Sequence, residues 1–75
     1  MFARNLKQLR RAAGLSQEEL AFRADLDRTY ISALERSQYN ASIETIERLA
    51  KALKVEPAQF LQRQTRPVIR SARNR

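Results

Sequence analysis

Apolar residues recur every three to four positions along most of this chain, which is the spacing of one helix face. The clearest runs lie within residues 2–13 and 42–53, and strand-like alternation never extends beyond a few residues. The composition favours good helix formers such as Ala, Leu, Glu and Arg. The pattern therefore predicts an all-α domain. In the second run, the positions predicted to face inward are Ile43, Ile46, Leu49, Ala50 and Leu53.

Capping residues predict where the helices begin and end. Gly14 is the only glycine of the chain and follows the first apolar run, as a residue just beyond a helix does. Ser16, with a glutamate three residues later, forms a capping-box pattern that starts a second helix. Asp27 is placed to cap a third helix and Ser42 a fourth. Pro57 suits the first turn of a short fifth helix.

Residues 17–36 have the organisation of a helix-turn-helix, with two short helices joined by a tight polar turn. This motif needs apolar or small side chains where its helices touch. The sequence supplies them at Leu20, Ala21, Ala24, Leu26, Ile31 and Leu34. The turn position usually holds glycine because it requires a positive φ. Here it is Asp25, which tolerates a left-handed conformation at modest cost.

The chain is strongly basic, with a formal charge of +7 and a pI of about 11.1. Five arginines and no acidic residue fall within residues 63–75, so the first 62 residues carry only +2. We therefore expect a helical domain over residues 1–62 and a basic, flexible tail over residues 63–75. Such a charge favours an anionic partner, above all nucleic acid. The tail has three open interpretations: it contacts DNA, it contacts RNA polymerase or another protein, or it contacts nothing.

The composition excludes several kinds of site. The chain contains no Cys and no His, which removes Cys-based zinc sites and the commonest general base. No glycine-rich phosphate loop is present either. The sequence therefore predicts neither an enzyme nor a bound cofactor or metal. No segment approaches the roughly 18 apolar residues of a membrane span, and the absence of Cys fits a cytoplasmic protein.

The sequence resembles the Xre/Cro-type repressor family, the DNA-binding domains of phage repressors. The resemblance covers residues 6–61 and rests on the segments LRRAAGLSQEELA, ISALER and SIETIERLAKAL. Within that family, DLDRTYISALER is similar to the controller proteins of restriction-modification systems, which are small homodimeric regulators. The resemblance implies a lambda-repressor-like fold of five helices and a regulator of transcription. It also implies a bacterial or phage protein located at the nucleoid. The family often has glycine after the ER pair, where this chain has Ser37.

The resemblance also implies DNA-reading roles for individual positions. Gln17 is expected to bond a phosphate and to brace the recognition helix, which spans residues 27–36. Arg28 can make a bidentate contact to guanine, worth about 1–3 kcal/mol of discrimination, and Thr29 can reach a base edge or a thymine methyl. The full set of expected DNA contacts is Gln17, Arg28, Thr29, Tyr30, Ser32, Ala33, Arg36, Tyr39 and Asn40.

Two further charged residues are expected to have a structural role. In the family, a glutamate of the I-x-x-x-E-R stretch pairs with an arginine of the first helix. The matching residues here are Glu35 and Arg10. A buried pair of this kind holds the recognition helix in place, and loss of one partner costs about 3–5 kcal/mol.

One recognition helix reads only about four or five base pairs, so we expect a homodimer that binds palindromic half-sites roughly one helical turn apart. The family usually dimerises through its C-terminal helices. The predicted dimer residues are Val55, Pro57, Phe60 and Leu61. Alternatively, Phe60 and Leu61 only close the core of the monomer.

A different class of function stays open beside this one. The domain could be an antitoxin- or antiactivator-type protein-interaction module whose basic tail folds on a partner. The apolar trio at residues 67–69 favours that alternative. RNA binding is a weaker alternative, because the sequence shows no aromatic stacking platform.

Overall fold

A computed structural model describes residues 1–62 as four α-helices followed by one 3-10 helix. The elements are α1 (Phe2–Ala12), α2 (Gln17–Ala24), α3 (Arg28–Glu35), α4 (Ile43–Leu53) and the 3-10 helix (Pro57–Leu61). The all-helical class is confirmed for this part of the chain, in which no strand occurs. The expected fifth helix is a 3-10 helix of five residues and not an α-helix. Helices of the 3-10 type typically occur as short segments of this kind. The tail predicted over residues 63–75 lies outside the described residues.

The predicted helix starts are confirmed by their hydrogen bonds. The Glu19 backbone N–H donates to Ser16 Oγ over 3.0 Å, and the Ser16 N–H donates to Glu19 Oε1 over 2.8 Å. These bonds complete the capping box, and the bond from the Ser16 backbone lowers the pKa of the Glu19 carboxyl. Asp27 Oδ1 accepts from the Thr29 N–H over 2.7 Å, and Ser42 caps α4 through its hydroxyl. The boundaries of α2 and α3, and hence the helix-turn-helix, are thus set locally by sequence.

Each α-helix ends at a residue in the left-handed region. These residues are Gly14 (φ +74°), Asp25 (φ +58°), Ser37 (φ +61°) and Lys54 (φ +59°). In each case the next N–H bonds back across the last turn, for example from Leu26 to the Ala21 carbonyl over 2.8 Å. This arrangement satisfies carbonyls that the helix end leaves open. The prediction for Asp25 is confirmed, and two more positions adopt the conformation without glycine.

The core lies between the four helices and is closed by the 3-10 helix. α2 packs against both α3 and α4, whereas α1 packs against α3 and the 3-10 helix. Within residues 1–62, six large apolar side chains are completely buried: Leu6, Leu20, Ile31, Leu34, Leu49 and Phe60. Ala21 and Ala24 are also buried, which lets α2 approach its neighbours closely. No helix within residues 1–62 is long and apolar enough to cross a membrane.

The predicted inward face of α4 is wrong at its first residue. Ile43 is 77% exposed, while Thr45 is buried. The buried stripe runs through Thr45, Leu49 and Leu53, which follow one another at four-residue intervals. Ile46 lies at the edge of this stripe, and Ile43, one turn earlier, falls outside it. Helical spacing alone could not distinguish the centre of the stripe from its edge.

A buried polar residue ties the first helix to the end of the described chain. Asn5 is 1% exposed, and its Nδ2 donates to the carbonyl oxygens of Phe60 and Gln62, both over 2.7 Å. These bonds satisfy backbone groups that the short 3-10 helix leaves open. Asn5 therefore anchors the last described residues to α1.

Candidate nucleic-acid interface

The sequence-predicted reading positions divide between the two sides of α3. Ile31 and Leu34 face the core and are fully buried. Arg28 and Arg36 are exposed and Ser32 is half-buried. These three residues follow at four-residue intervals and therefore share one face. Thr29 is exposed beside them. The structure thus brings four of the predicted positions together on the outer face of α3.

The far end of this face is arranged by polar contacts. The Arg36 guanidinium donates through Nη1 to Ser32 Oγ and through Nη2 to Gln38 Oε1 over 3.1 Å. Both bonds hold the arginine across the C-terminal turn of α3. Gln38 was not among the predicted site residues. It lies beyond the helix, where periodicity gives no signal.

Tyr30 and Ala33 are less exposed than Arg28 and Thr29. Tyr30 is half-buried, and its ring lies against Tyr39 with centroids 6.3 Å apart. Ala33, three residues later, is only 4% exposed. Residues three apart share a helix side, so Tyr30 and Ala33 lie on a side of α3 that is only partly accessible to solvent. The expected DNA contact at Ala33 is therefore corrected, because this residue is buried.

Glu35, at the end of α3, is the centre of a buried hydrogen-bond network. Its Oε2 accepts from Arg10 Nε over 2.6 Å, and its Oε1 accepts from Arg10 Nη2 over 3.1 Å. Arg10 Nη1 also donates to the Leu15 carbonyl over 2.8 Å. The two charged side chains are only 10% and 3% exposed. The hydrogen bond to Glu35 raises the pKa of Arg10 above its ordinary value.

Gln17 joins the same network. Its Nε2 donates to Glu35 Oε1 over 3.1 Å. This contact matches the bracing part of the role that the resemblance implied, since it links the start of α2 to the end of α3. Together with the Arg10 pair, it connects α1, α2 and α3 through one carboxylate. The angle at which α3 presents its outer face is therefore fixed from behind.

Arg48 supports the turn between the two helices from α4. Its Nη1 donates to the Asp25 carbonyl over 3.1 Å and lies 3.9 Å from Asp25 Oδ2. Its Nη2 donates to Glu44 over 3.2 Å. The Arg48 side chain is 43% exposed, so the charge contribution is screened and the bond to the carbonyl matters more. Sequence reasoning missed this contact, because its partners are 23 residues apart.

Tyr39 and Asn40 are exposed in the loop after α3. Both line a groove of about 330 Å³ that also includes Met1, Ile46 and Leu61. The groove brings the loop, the start of α1 and the end of the 3-10 helix to one side of the domain.

The predicted dimer residues are not equivalent. Phe60 has no exposed surface and its ring packs on Phe2, with centroids 5.5 Å apart. Phe60 therefore closes the monomer core, and its assignment to a dimer surface is corrected. Leu61 is 57% exposed, Pro57 is exposed and Val55 is half-buried. Only these three remain available to a partner.

The chemistry of the outer face is that of a hydrogen-bond donor surface. Guanidinium groups, hydroxyls and amides are the groups that bond phosphate oxygens and the base edges of a DNA groove. In the described part of the chain, no group of three or more acidic side chains is placed to hold a metal ion.

The sequence family described as "Helix-turn-helix" matches residues 6–60, which is most of the chain. The chain belongs to this helix-turn-helix family. Control protein C.BamHI from Bacillus amyloliquefaciens is 45% identical over 62 residues, which cover 81% of this chain and 76% of that protein. The family match and this relative confirm the predicted resemblance to the Xre/Cro-type family and to restriction-modification controllers.

Solved structures also support the membership of this chain in the helix-turn-helix family. The restriction-modification controller protein C.AhdI from Aeromonas hydrophila superimposes with a TM-score of 0.77 at 49% identity, over 79% of this chain and 89% of that one. SinR, a master regulator for biofilm formation solved in complex with DNA, superimposes with a TM-score of 0.78 at 35% identity. The match covers 83% of this chain and 100% of that one. The family is one of DNA-binding transcription regulators and not of enzymes.

Proposed function

We propose that this chain is a sequence-specific regulator that binds double-stranded DNA as a homodimer on palindromic operators, with α3 in the major groove. One observation carries the proposal. Arg28 and Thr29 stand exposed at the start of α3, and among residues 1–62 the Arg28 side chain makes no hydrogen bond or ion pair. A charged donor left available on a rigid helix suits recognition of a base edge.

The proposed division of roles follows from the contacts of each side chain. Arg28 and Thr29 read base edges, because they occupy the first exposed turn of α3. Arg36, with Ser32 and Gln38 orienting it, binds the phosphate backbone at the other end of the helix. Phosphate contacts set the register of the protein on the duplex, and base contacts supply the specificity.

The proposed dimer uses the exposed apolar residues near the 3-10 helix. Leu61 and Pro57 are available there, and Met1, 63% exposed, lines the same groove as Leu61. Burial of these side chains against a second copy would remove apolar surface from water. Leu61→Asp should shift the protein to monomer in sedimentation analysis, with Glu56→Asp as a surface control. A Leu61→Asp protein that still dimerises would contradict this placement.

We further propose that the regulated genes belong to a restriction-modification system. The identities of 45% to C.BamHI and 49% to C.AhdI support this part of the proposal. A promoter-reporter assay with the DNA upstream of this gene tests it. Expression should change with the dose of the protein, and the Arg28→Ala variant should abolish that change.

Selection of bound sites from random DNA tests the proposed function most broadly. We expect an enriched inverted repeat with half-site centres about 10 base pairs apart or a multiple of that spacing. No enriched sequence at any salt concentration would overturn the proposal. That result would favour the alternative of a protein-interaction module.

A further inference from the structure

We infer that the exposed basic face of α1, formed by Arg4, Lys7 and Arg11, binds the sugar-phosphate backbone of the duplex beside the half-site that α3 reads. This inference rests on the proposed function and adds a second DNA-binding surface to it. The surface contacts phosphates and not base edges. None of its three residues belongs to the DNA-reading set that the sequence predicts.

The excess positive charge of the described domain lies on α1. This helix contains four basic residues and no acidic residue, so it carries +4. The rest of residues 1–62 contains six basic and eight acidic residues, or −2. Of the four cations, Arg10 is neutralised by its buried pair with Glu35. The other three form the basic face, and positive charge collected on one face is typical of proteins that bind nucleic acid.

The basic face has no counter-ions within residues 1–62. Arg4, Lys7 and Arg11 are exposed, and their side chains make no hydrogen bond or ion pair in this part of the chain. They follow one another at intervals of three and four residues, so they share one side of the helix. Like charges at this spacing destabilise a helix. The arrangement is therefore unfavourable for the domain by itself and favourable for an anionic partner.

The hydrogen-bond network behind α3 places the basic face next to the reading helix. Arg10 and Gln17 both donate to Glu35 Oε1 over 3.1 Å. The Arg10 side of α1 therefore lies beside the start of α2 and the end of α3. Lys7 precedes Arg10 by three residues and lies toward the same side. Because Gln17 is the residue expected to bond a phosphate, the basic face borders the expected path of the DNA backbone.

The length of the basic face suits a row of phosphates. Seven residues separate Arg4 from Arg11, which corresponds to about 10 Å along an α-helix. One DNA strand carries a negative charge per about 3.4 Å of the duplex axis. The face therefore spans about three phosphates, one for each cation. Arginine can donate two parallel bonds to a phosphate, and lysine attracts it as a point charge.

The salt dependence of DNA binding tests the inference in the full chain. The test variant has glutamine at all three positions of the basic face, because glutamine is also a good helix former. A matched control removes the same charge from exposed positions on other surfaces, through glutamine at Arg23, Lys51 and Lys54. Binding to the selected operator and to a scrambled duplex is measured by fluorescence anisotropy, from about 50 to 200 mM salt.

We expect the test variant to lose about 2–3 units of the slope of log K against log salt per chain, since each phosphate contact contributes about 0.9. Its affinity for operator and scrambled DNA should fall by similar factors, because phosphate contacts carry no sequence information. The matched control should keep the wild-type slope. A variant with Arg4→Lys and Arg11→Lys should keep it too, because the charge is retained.

Equal slopes in the test variant and the matched control would overturn the inference, and an acidic protein would become the better partner for the basic face. Equal melting temperatures of these proteins would show that the domain is intact. The same assay separates this failure from failure of the proposed function. Arg28→Ala should lose the preference for the operator and keep the slope contributed by the basic face. If the wild-type protein prefers no duplex over another, the proposed function itself fails.

Discussion

The inner side of α3 is held by buried apolar side chains and by three hydrogen bonds to Glu35, whereas its outer side exposes Arg28 and Thr29 to solvent. Every segment packed behind the helix contributes to its orientation, through Arg10 from α1 and Gln17 from α2. The comparison indicates that orientation and reading are carried by different side chains. Substitutions on the inner side should therefore change stability, and substitutions on the outer side should change DNA binding.

The largest effect is expected at the centre of the inner side. Glu35→Gln leaves the buried Arg10 without its counter-ion, which costs about 3–5 kcal/mol. A domain of this size has a total stability of roughly 4–11 kcal/mol, so the variant should be close to unfolding at moderate temperature. Urea denaturation followed by circular dichroism measures the loss. Glu47→Gln, exposed on α4, is the control. Equal stability of the two variants would contradict the role of the inner side of α3 in holding the helix in place.

Asn5→Ala is expected to have the next largest effect. The change leaves the carbonyls of Phe60 and Gln62 without a buried donor, and each such loss costs about 1–3 kcal/mol. The free energy of unfolding should fall by at least the lower value, whereas Gln8→Ala, exposed on the same helix, should change it little. Retention of full stability in Asn5→Ala would mean that the end of the domain is not anchored there.

A smaller effect is expected where the α-helices end. Gly14→Ala should lower the free energy of unfolding by about 1 kcal/mol, because alanine is strained in the left-handed conformation. No steric clash adds to this cost, since a Cβ at this position meets nothing within 4 Å. Ser37→Gly should do the opposite at the end of α3 and raise stability by up to about 1 kcal/mol. Thermal melting of the two variants measures both signs. If both variants change stability in the same direction, the account of the helix ends is wrong.

The smallest effect concerns pH. The capping box lowers the pKa of Glu19 in the folded protein. Its stabilisation is therefore present above the unfolded pKa of about 4.3 and disappears as the pH falls through the lower folded value. At pH 7 the melting temperature of the wild type should be higher than that of the Glu19→Gln variant. This difference in melting temperature should shrink as the pH falls below about 4. A difference that grows at low pH would contradict the assigned shift.

Local chemistry explains which parts of the fold were predictable. Ser16, Asp27 and Ser42 bond backbone groups two or three residues away, so the sequence itself contains both partners. The left-handed turn at Asp25 was predictable for the same reason. Face assignments failed at Ile43, which lies at the edge of a stripe and is exposed, and at Ala33, which is buried on a helix side expected to face DNA.

Long-range polar contacts mark the limit of sequence reasoning about the site. The Arg10 and Glu35 pair, predicted through family resemblance, is present in the structure although it spans 25 positions. Asn5 and Arg48 gave no comparable signal, since their partners are backbone carbonyls 55 and 23 residues away. A carbonyl is present at every position, so no residue type reveals which one will be bonded.

The Arg28→Ala variant tests the separation of orientation from reading most directly. Its unfolding free energy and its preference for the selected operator over scrambled DNA should be measured on the same preparation, with Arg11→Ala, exposed on α1, as the control. We predict unchanged stability within about 0.5 kcal/mol and a preference reduced by about 1–3 kcal/mol. A variant that loses stability, or that keeps the full preference of wild type, would contradict the account.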